Sequence, residues 1–136
     1  MNLEKLTEQL IFHEGIRLKP YQDSVGKLTI GVGRNLSDVG ISKTEALYLL
    51  SHDISNAITD CRNLFEKFDY IPEVKQLVIA DMMFNMGINR LKKFKRFRKA
   101  IESGNWNMAA EEMKNSKWFS QVGSRAVRLY EMMRDA

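Results

Sequence analysis

The sequence predicts an α+β fold that is predominantly helical, a helical bundle carrying one small antiparallel β-hairpin lobe. Three observations lead there. Apolar residues recur at helical spacing through most of the chain, whereas the stretch from Pro20 to Gly33 switches to a two-residue period. No Pro/Gly/Ser-rich linker and no internal repeat divides the 136 residues, a length that suits one domain. The expected division is a β-lobe over about 16–40 and a helical lobe formed by 1–15 and 41–136.

Each element has a local cause. Leu3, Leu6, Leu10 and Ile11 share one helical face, and Gly15 is a natural helix stop, so Glu14 should close the first helix. Asp23-Ser24-Val25-Gly26 reads as a turn. Leu28, Ile30 and Val32 then alternate with Thr29, Gly31 and Gly33, the period of a strand. A hairpin is expected there, with a third short strand before Gly40. Ser42-Lys43-Thr44-Glu45 is a capping-box pattern, in which Ser42 and Glu45 satisfy free backbone N–H groups reciprocally. Ala46, Leu49, Leu50, Ile54, Ala57, Ile58 and Cys61 then mark a long amphipathic helix.

Pro72 can open the next helix, and Gly87 can end it. Its Val74, Leu77, Val78, Met82, Phe84 and Met86 make it nearly all-apolar and therefore central. Further helices are expected at about 90–103, 106–115 and 124–134, broken by Gly104 and Gly123.

Composition narrows the function. Hydrophobic residues make up 44% and charged residues 28%, values that argue against disorder. No window approaches the roughly 18 consecutive apolar residues of a membrane span. The first nine residues carry acids and amides where an export signal has an apolar run. Cys61 is the only cysteine, so an intrachain disulfide is impossible and a reducing compartment is acceptable. His13, His52 and Cys61 lack zinc-like spacing, so neither a metal nor another cofactor is expected. Asn35-Leu36-Ser37 matches a glycosylation sequon that has no meaning without secretion. The 21 basic against 17 acidic residues give +4, which favours polyanionic partners without choosing among nucleic acid, anionic membrane and bacterial envelope polymer.

Chemistry concentrates between His13 and Gly33. Glu14 closes a helix, Asp23 stands at the lip of the hairpin, and Thr29 lies early on the returning strand. Such groups can converge on a groove between bundle and hairpin. Two carboxylates across a groove suit glycosidic cleavage: one gives a proton to the leaving oxygen, the other activates water or stabilises an oxocarbenium-like centre. Glu14 is the expected acid, because a helix C-terminus disfavours negative charge and Phe12 and Ile16 flank it. Asp23, beside Ser24 in a turn, is expected to stay ionised. Thr29 can donate or accept, and so can hold a water on Asp23's side. On spacing alone, however, all three are equally ordinary as a surface acid, a turn-former and a strand residue.

The segment resembles the catalytic signature of phage-type lysozymes, the T4-like and P22-like endolysin family. Its pattern is a Glu, eight residues, an Asp or Cys, five residues and a Thr, which Glu14, Asp23 and Thr29 reproduce. Glu14-Gly15, Tyr21-Gln22-Asp23, Gly26 and Thr29-Ile30-Gly31-Val32-Gly33 belong to the likeness, which continues in Phe84-Asn85-Met86-Gly87, Ser116-Lys117-Trp118-Phe119 and Arg125. The resemblance implies a lysozyme-like fold and hydrolysis of the β-1,4 bond between N-acetylmuramic acid and N-acetylglucosamine in bacterial peptidoglycan. It implies Glu14 as general acid, with Asp23 and Thr29 directing water and an inverting outcome. It further implies substrate contact by Asn85, support of Glu14 by Arg125, a monomer, and release from the host cytoplasm through a holin-type pore. Two departures stand out. Arg34 follows the strand where the family often has histidine, and is expected to rim the cleft or to bind a carboxylate such as Asp38. The hairpin lobe also looks short, because helical signals return by Ser42.

Two rival readings remain. A lytic transglycosylase would cut the same bond by internal attack and would not need Asp23 to direct water. A basic nucleic-acid or membrane-binding module would use Arg90 to Lys99, where Phe94 and Phe97 interleave with Lys and Arg. That run is better read as an amphipathic helix with Leu91, Phe94, Phe97 and Ile101 inward, so no nucleic-acid partner is expected. Trp106, Trp118, Met82, Met83 and Met86 are expected in the core, and His13 and His52 are read as structural.

Overall fold

Asn2 starts the first helix, α1 (Leu3–Glu14), by accepting the Lys5 N–H at 3.0 Å, and Gly15 ends it at φ 76. The structure, a computed structural model, describes residues 1–134 and gathers the chain into two compact units that divide between Leu49 and Leu50. In the first unit α1 buries no side chain completely: Leu3 and Leu10 are exposed and Leu6 and Ile11 half-buried on the face where the apolar spacing predicts packing.

Strands β1 (Arg17–Gln22), β2 (Leu28–Gly31) and β3 (Arg34–Asn35) form an antiparallel sheet in that order. The third strand lies before Gly40, as expected. The first begins at Arg17, ahead of Pro20. Proline is tolerated there because β1 is an edge strand whose register shifts between Arg17 and Tyr21, so the missing N–H breaks no regular ladder. Thr29, on the central strand, is the one buried residue of this unit.

The long helix α2 (Lys43–Leu64) opens with the predicted capping box. Ser42 N–H donates to Glu45 Oε1 at 2.9 Å and Glu45 N–H donates to Ser42 Oγ at 3.1 Å. Its first half leaves Leu49 and Ile54 exposed, while Ala57, Cys61 and Leu64 enter the core of the second unit.

That core surrounds α3 (Glu73–Met86), which buries Val78, Ile79, Met82 and Met83, whereas Val74, Leu77 and Phe84, expected inside with them, are exposed. Pro72 is its N-cap and Gly87, at φ 80, its C-cap. Lys75 is the exception on this helix: buried, it donates from Nζ to Met132 O at 2.8 Å. That carbonyl lies in the last turn of α8 (Ser124–Arg134), where a cation suits the helix dipole.

The helix expected over 90–103 is two pieces, α4 (Ile88–Leu91) and α5 (Lys95–Glu102). Like charges three and four residues apart in this run weigh against one continuous helix. Leu91, Phe97 and Ile101 are nevertheless buried and Phe94 partly so, as amphipathic packing requires. α6 (Trp106–Lys114) and α8 lie where expected. Between them α7 (Lys117–Val122) and, earlier, a single 3-10 turn at Phe68–Tyr70 have no counterpart in the sequence reading. Both are too short to show a period. Trp118 is fully buried, whereas Trp106 and Met86 are partly so.

Candidate active site

A helix that stops at Gly15 leaves Glu14 as its last residue, next to the sheet in sequence. The carboxylate lies against the turn between β2 and β3. A methyl group built at Gly33 would stand 2.9 Å from Glu14 Oε2 and 3.1 Å from its Cδ. Gly33 also sits at φ 67, so this turn needs glycine for its backbone as well as for the close approach. Within residues 1–49 the Glu14 carboxylate takes no hydrogen bond or ion pair, and it is exposed. Phe12 and Ile16, expected to keep water from it, are exposed too. Phe12 lies two positions back on the helix and so on another face, and Ile16 lies beyond the Gly15 cap, so flanking in sequence gives no shielding here.

Asp23 follows β1 directly and organises the turn. Its Oδ1 accepts the backbone N–H groups of Val25 at 2.9 Å and Lys27 at 2.8 Å. Its own N–H donates to Lys27 O at 2.9 Å, and its carbonyl accepts from Gly26 N–H at 3.0 Å. Oδ2 has no protein partner among the described residues. One carboxylate oxygen therefore fixes the side chain while the other is left for chemistry.

Thr29 is tied to the same peptide. Its hydroxyl donates to Lys27 O at 2.8 Å. A carbonyl can only accept, so the one hydroxyl proton is committed and Thr29 Oγ1 faces any further partner as an acceptor. The Lys27 peptide thus joins Asp23 and Thr29: its N–H holds the carboxylate and its oxygen holds the hydroxyl. The Lys27 ammonium is occupied elsewhere, 3.2 Å from Asp38. Sequence reasoning missed Lys27, because a residue acting through its backbone leaves no side-chain signature.

Arg34 binds a carboxylate, as expected, but the partner is Glu45 and not Asp38. It forms a two-pronged pair with Glu45, at 2.9 and 2.8 Å, and also donates to Gly40 O at 3.2 Å. The planar guanidinium matches a carboxylate in this way, whereas Asp38 is taken by Lys27 and Asn35. The Arg34 hydrogen bonds first, and the Ser42 N–H second, lower the Glu45 pKa from its ordinary 4.5 to about 2. Arg34 itself is raised by the same contact.

In the second unit, Asn85 Oδ1 accepts the Trp118 indole N–H at 2.8 Å, so the amide satisfies a buried tryptophan. Arg125 is held by Asp81, donating from Nε at 2.8 Å and also from its second nitrogen to the same carboxylate oxygen. The pair lines a hollow with Leu77, Ser124, Arg128, Leu129 and Met132. Asp81 was missed by sequence reasoning, although an acid inside a nearly all-apolar helix signals a basic partner. The cavities described on residues 50–134 include none of Glu14, Asp23 or Thr29.

Residues 12–132, which contain all of these groups, match the family model described as phage lysozyme. The chain belongs to the phage lysozyme family. Membership carries the coarse activity, hydrolysis of cell-wall glycan by a glycosidase. Among known proteins the chain is 28% identical to a probable T4-type lysozyme of Dictyostelium discoideum, over 93% of this chain and 92% of that one. It is 33% identical to a SAR-endolysin of Bacteriophage PS119, over 74% of this chain and 61% of the relative. A peptidoglycan hydrolase of Pseudomonas phage phiKMV is 25% identical over 88% of this chain, which spans 14% of that longer protein. Among the described residues no helix is long and apolar enough to cross a membrane.

Proposed function

We propose that this lysozyme-family chain acts as a single catalytic domain, an endolysin-type muramidase that hydrolyses the β-1,4 bond between N-acetylmuramic acid and N-acetylglucosamine. The observation that carries the proposal is the Lys27 peptide bridge, because it leaves two acceptors for one water. Asp23 Oδ2 accepts one O–H of that water and Thr29 Oγ1 accepts the other. The oxygen lone pair is then free for the anomeric carbon. Glu14 gives its proton to the glycosidic oxygen as the C1–O bond breaks; water adds to C1, and its proton passes to Asp23. Attack from the face opposite the leaving group inverts the anomeric centre. Solvent returns the proton to Glu14 for the next cycle.

The roles of Asn85 in substrate contact and of Arg125 in supporting Glu14 rest on the family resemblance alone. So do action as a monomer on peptidoglycan and release from the host cytoplasm through a holin-type pore.

The test is product analysis on purified peptidoglycan by mass spectrometry and proton NMR. The expected products are a reducing N-acetylmuramic acid end, formed first as the α-anomer, and loss of that product in Asp23→Asn. A 1,6-anhydro end would mean internal attack and would replace this reading with a lytic transglycosylase.

A further inference from the structure

The protein's two tryptophans have opposite fates. Trp118 is fully buried and gives its indole N–H to Asn85. Trp106 is only partly buried, and its indole N–H has no hydrogen-bond partner among the described residues. It stands at the first position of α6, two residues after Gly104, whose φ of 72 turns the chain there.

Trp106 lines a hollow of about 570 Å³ in the second unit, within the range of small-molecule sites. The buried Phe65 and Ile101, together with Ile71, give it an apolar lining. Tyr70, 88% exposed at the end of the 3-10 turn, adds a second aromatic face. Glu66 and Glu102 supply carboxylates that no salt bridge or hydrogen bond occupies among the described residues, and Lys67 a cation likewise unengaged. Core packing explains Phe65 and Ile101. It does not explain an exposed tyrosine, an open indole donor and two open carboxylates around one hollow.

We propose that this hollow is a second, non-catalytic binding site for an N-acetylated amino sugar of the glycan strand. The chemistry is complementary at each part. Sugar C–H faces pack on Tyr70 and Trp106, the acetamido carbonyl accepts the Trp106 N–H, and the acetamido methyl enters the Phe65–Ile101 lining. Ring hydroxyls donate to Glu66 and Glu102. A site of this kind holds the enzyme on an insoluble polymer between cleavage events, which raises the local concentration of bonds at the catalytic residues. The choice of an amino sugar rests on the muramidase reading; the existence of the hollow does not.

The experiment uses full-length Glu14→Gln protein labelled with nitrogen-15, titrated with tri-N-acetylchitotriose and read at the two indole N–H resonances, assigned with Trp106→Phe. The Trp106 signal should shift and saturate while that of Trp118 stays nearly still. Tyr70→Ala, at an exposed position, should weaken this binding by about tenfold or more with an unchanged melting temperature. Shifts confined to residues 14–35 would overturn the second site. So would a Trp106 shift produced by a free stem peptide and not by the sugar. Hydrolysis by the wild type is measured separately, so failure of the muramidase reading would be distinguishable from failure of this site.

Discussion

Residues 1–49 and residues 50–134 are held together by different physics. Every buried hydrophobic side chain lies at or beyond Ala57, around Met82, Phe97 and Trp118. The first unit buries only Thr29 and is organised by polar groups bonding to backbone: Asp23 and Thr29 on the Lys27 peptide, Asn35 with Asp38, Ser42 with Glu45. The difference teaches that the stabilising groups and the proposed catalytic groups belong to separate sets of residues. Core substitutions should therefore change stability without changing chemistry, and turn substitutions should do the reverse.

The largest separation is expected from Met82→Ala. Met82 is fully buried, and truncating such a side chain costs about 2–5 kcal/mol. Denaturant titration should show that loss, with kcat on peptidoglycan unchanged at temperatures where the variant is folded. A fall in kcat at full folding would break the separation. Gly33→Ala tests the other half. Its Cβ would press on the Glu14 carboxylate at 2.9 Å and force alanine to φ 67. Activity should drop by up to about 10²-fold, the scale of an ångström-sized misplacement. Stability should fall by only about 1 kcal/mol, from the left-handed backbone.

The smallest effect concerns acid. Glu45 is lowered to about 2 in the folded protein, chiefly by Arg34, from an ordinary 4.5. A group with a depressed folded pKa stabilises the fold above its ordinary value, and that contribution fades as pH falls from about 4.5 to about 2. Glu45→Gln should therefore lower the melting temperature at pH 6 and make a much smaller difference near pH 2. An equal decrement at both pH values would show that charge has no part in the pair.

Much of this was legible in the sequence where one residue type has one local use. Gly15 and Gly87 end helices, Ser42 and Glu45 cap one, and the alternation from Leu28 to Ile30 announces a strand, although β2 ends before Val32 and the residue it buries is Thr29. The apolar run of α3 located the core through Val78 and Met82, but Val74, Leu77 and Phe84 of the same run are exposed. Less legible were features that depend on distant partners. Arg34 had two acids within reach in sequence, and only the fold selects Glu45 over Asp38. Asp81 could be recognised as needing a base but not as taking Arg125. The break between α4 and α5 interrupts an otherwise helical period, with Lys93 N–H and Phe94 N–H bonding carbonyls only three residues back. At the candidate site the residue types were readable, whereas their linkage through the Lys27 peptide was not, since any side chain could stand there.

Glu14 is the proposed general acid, and it is an exposed residue. Rates of peptidoglycan clearance and thermal melts, recorded on the same preparations of wild type and Glu14→Gln, test that most directly. The expected result is a loss of about 10²–10⁴-fold in rate, the usual worth of a general acid, with an unchanged melting temperature. Clearance by Glu14→Gln at the wild-type rate would contradict it.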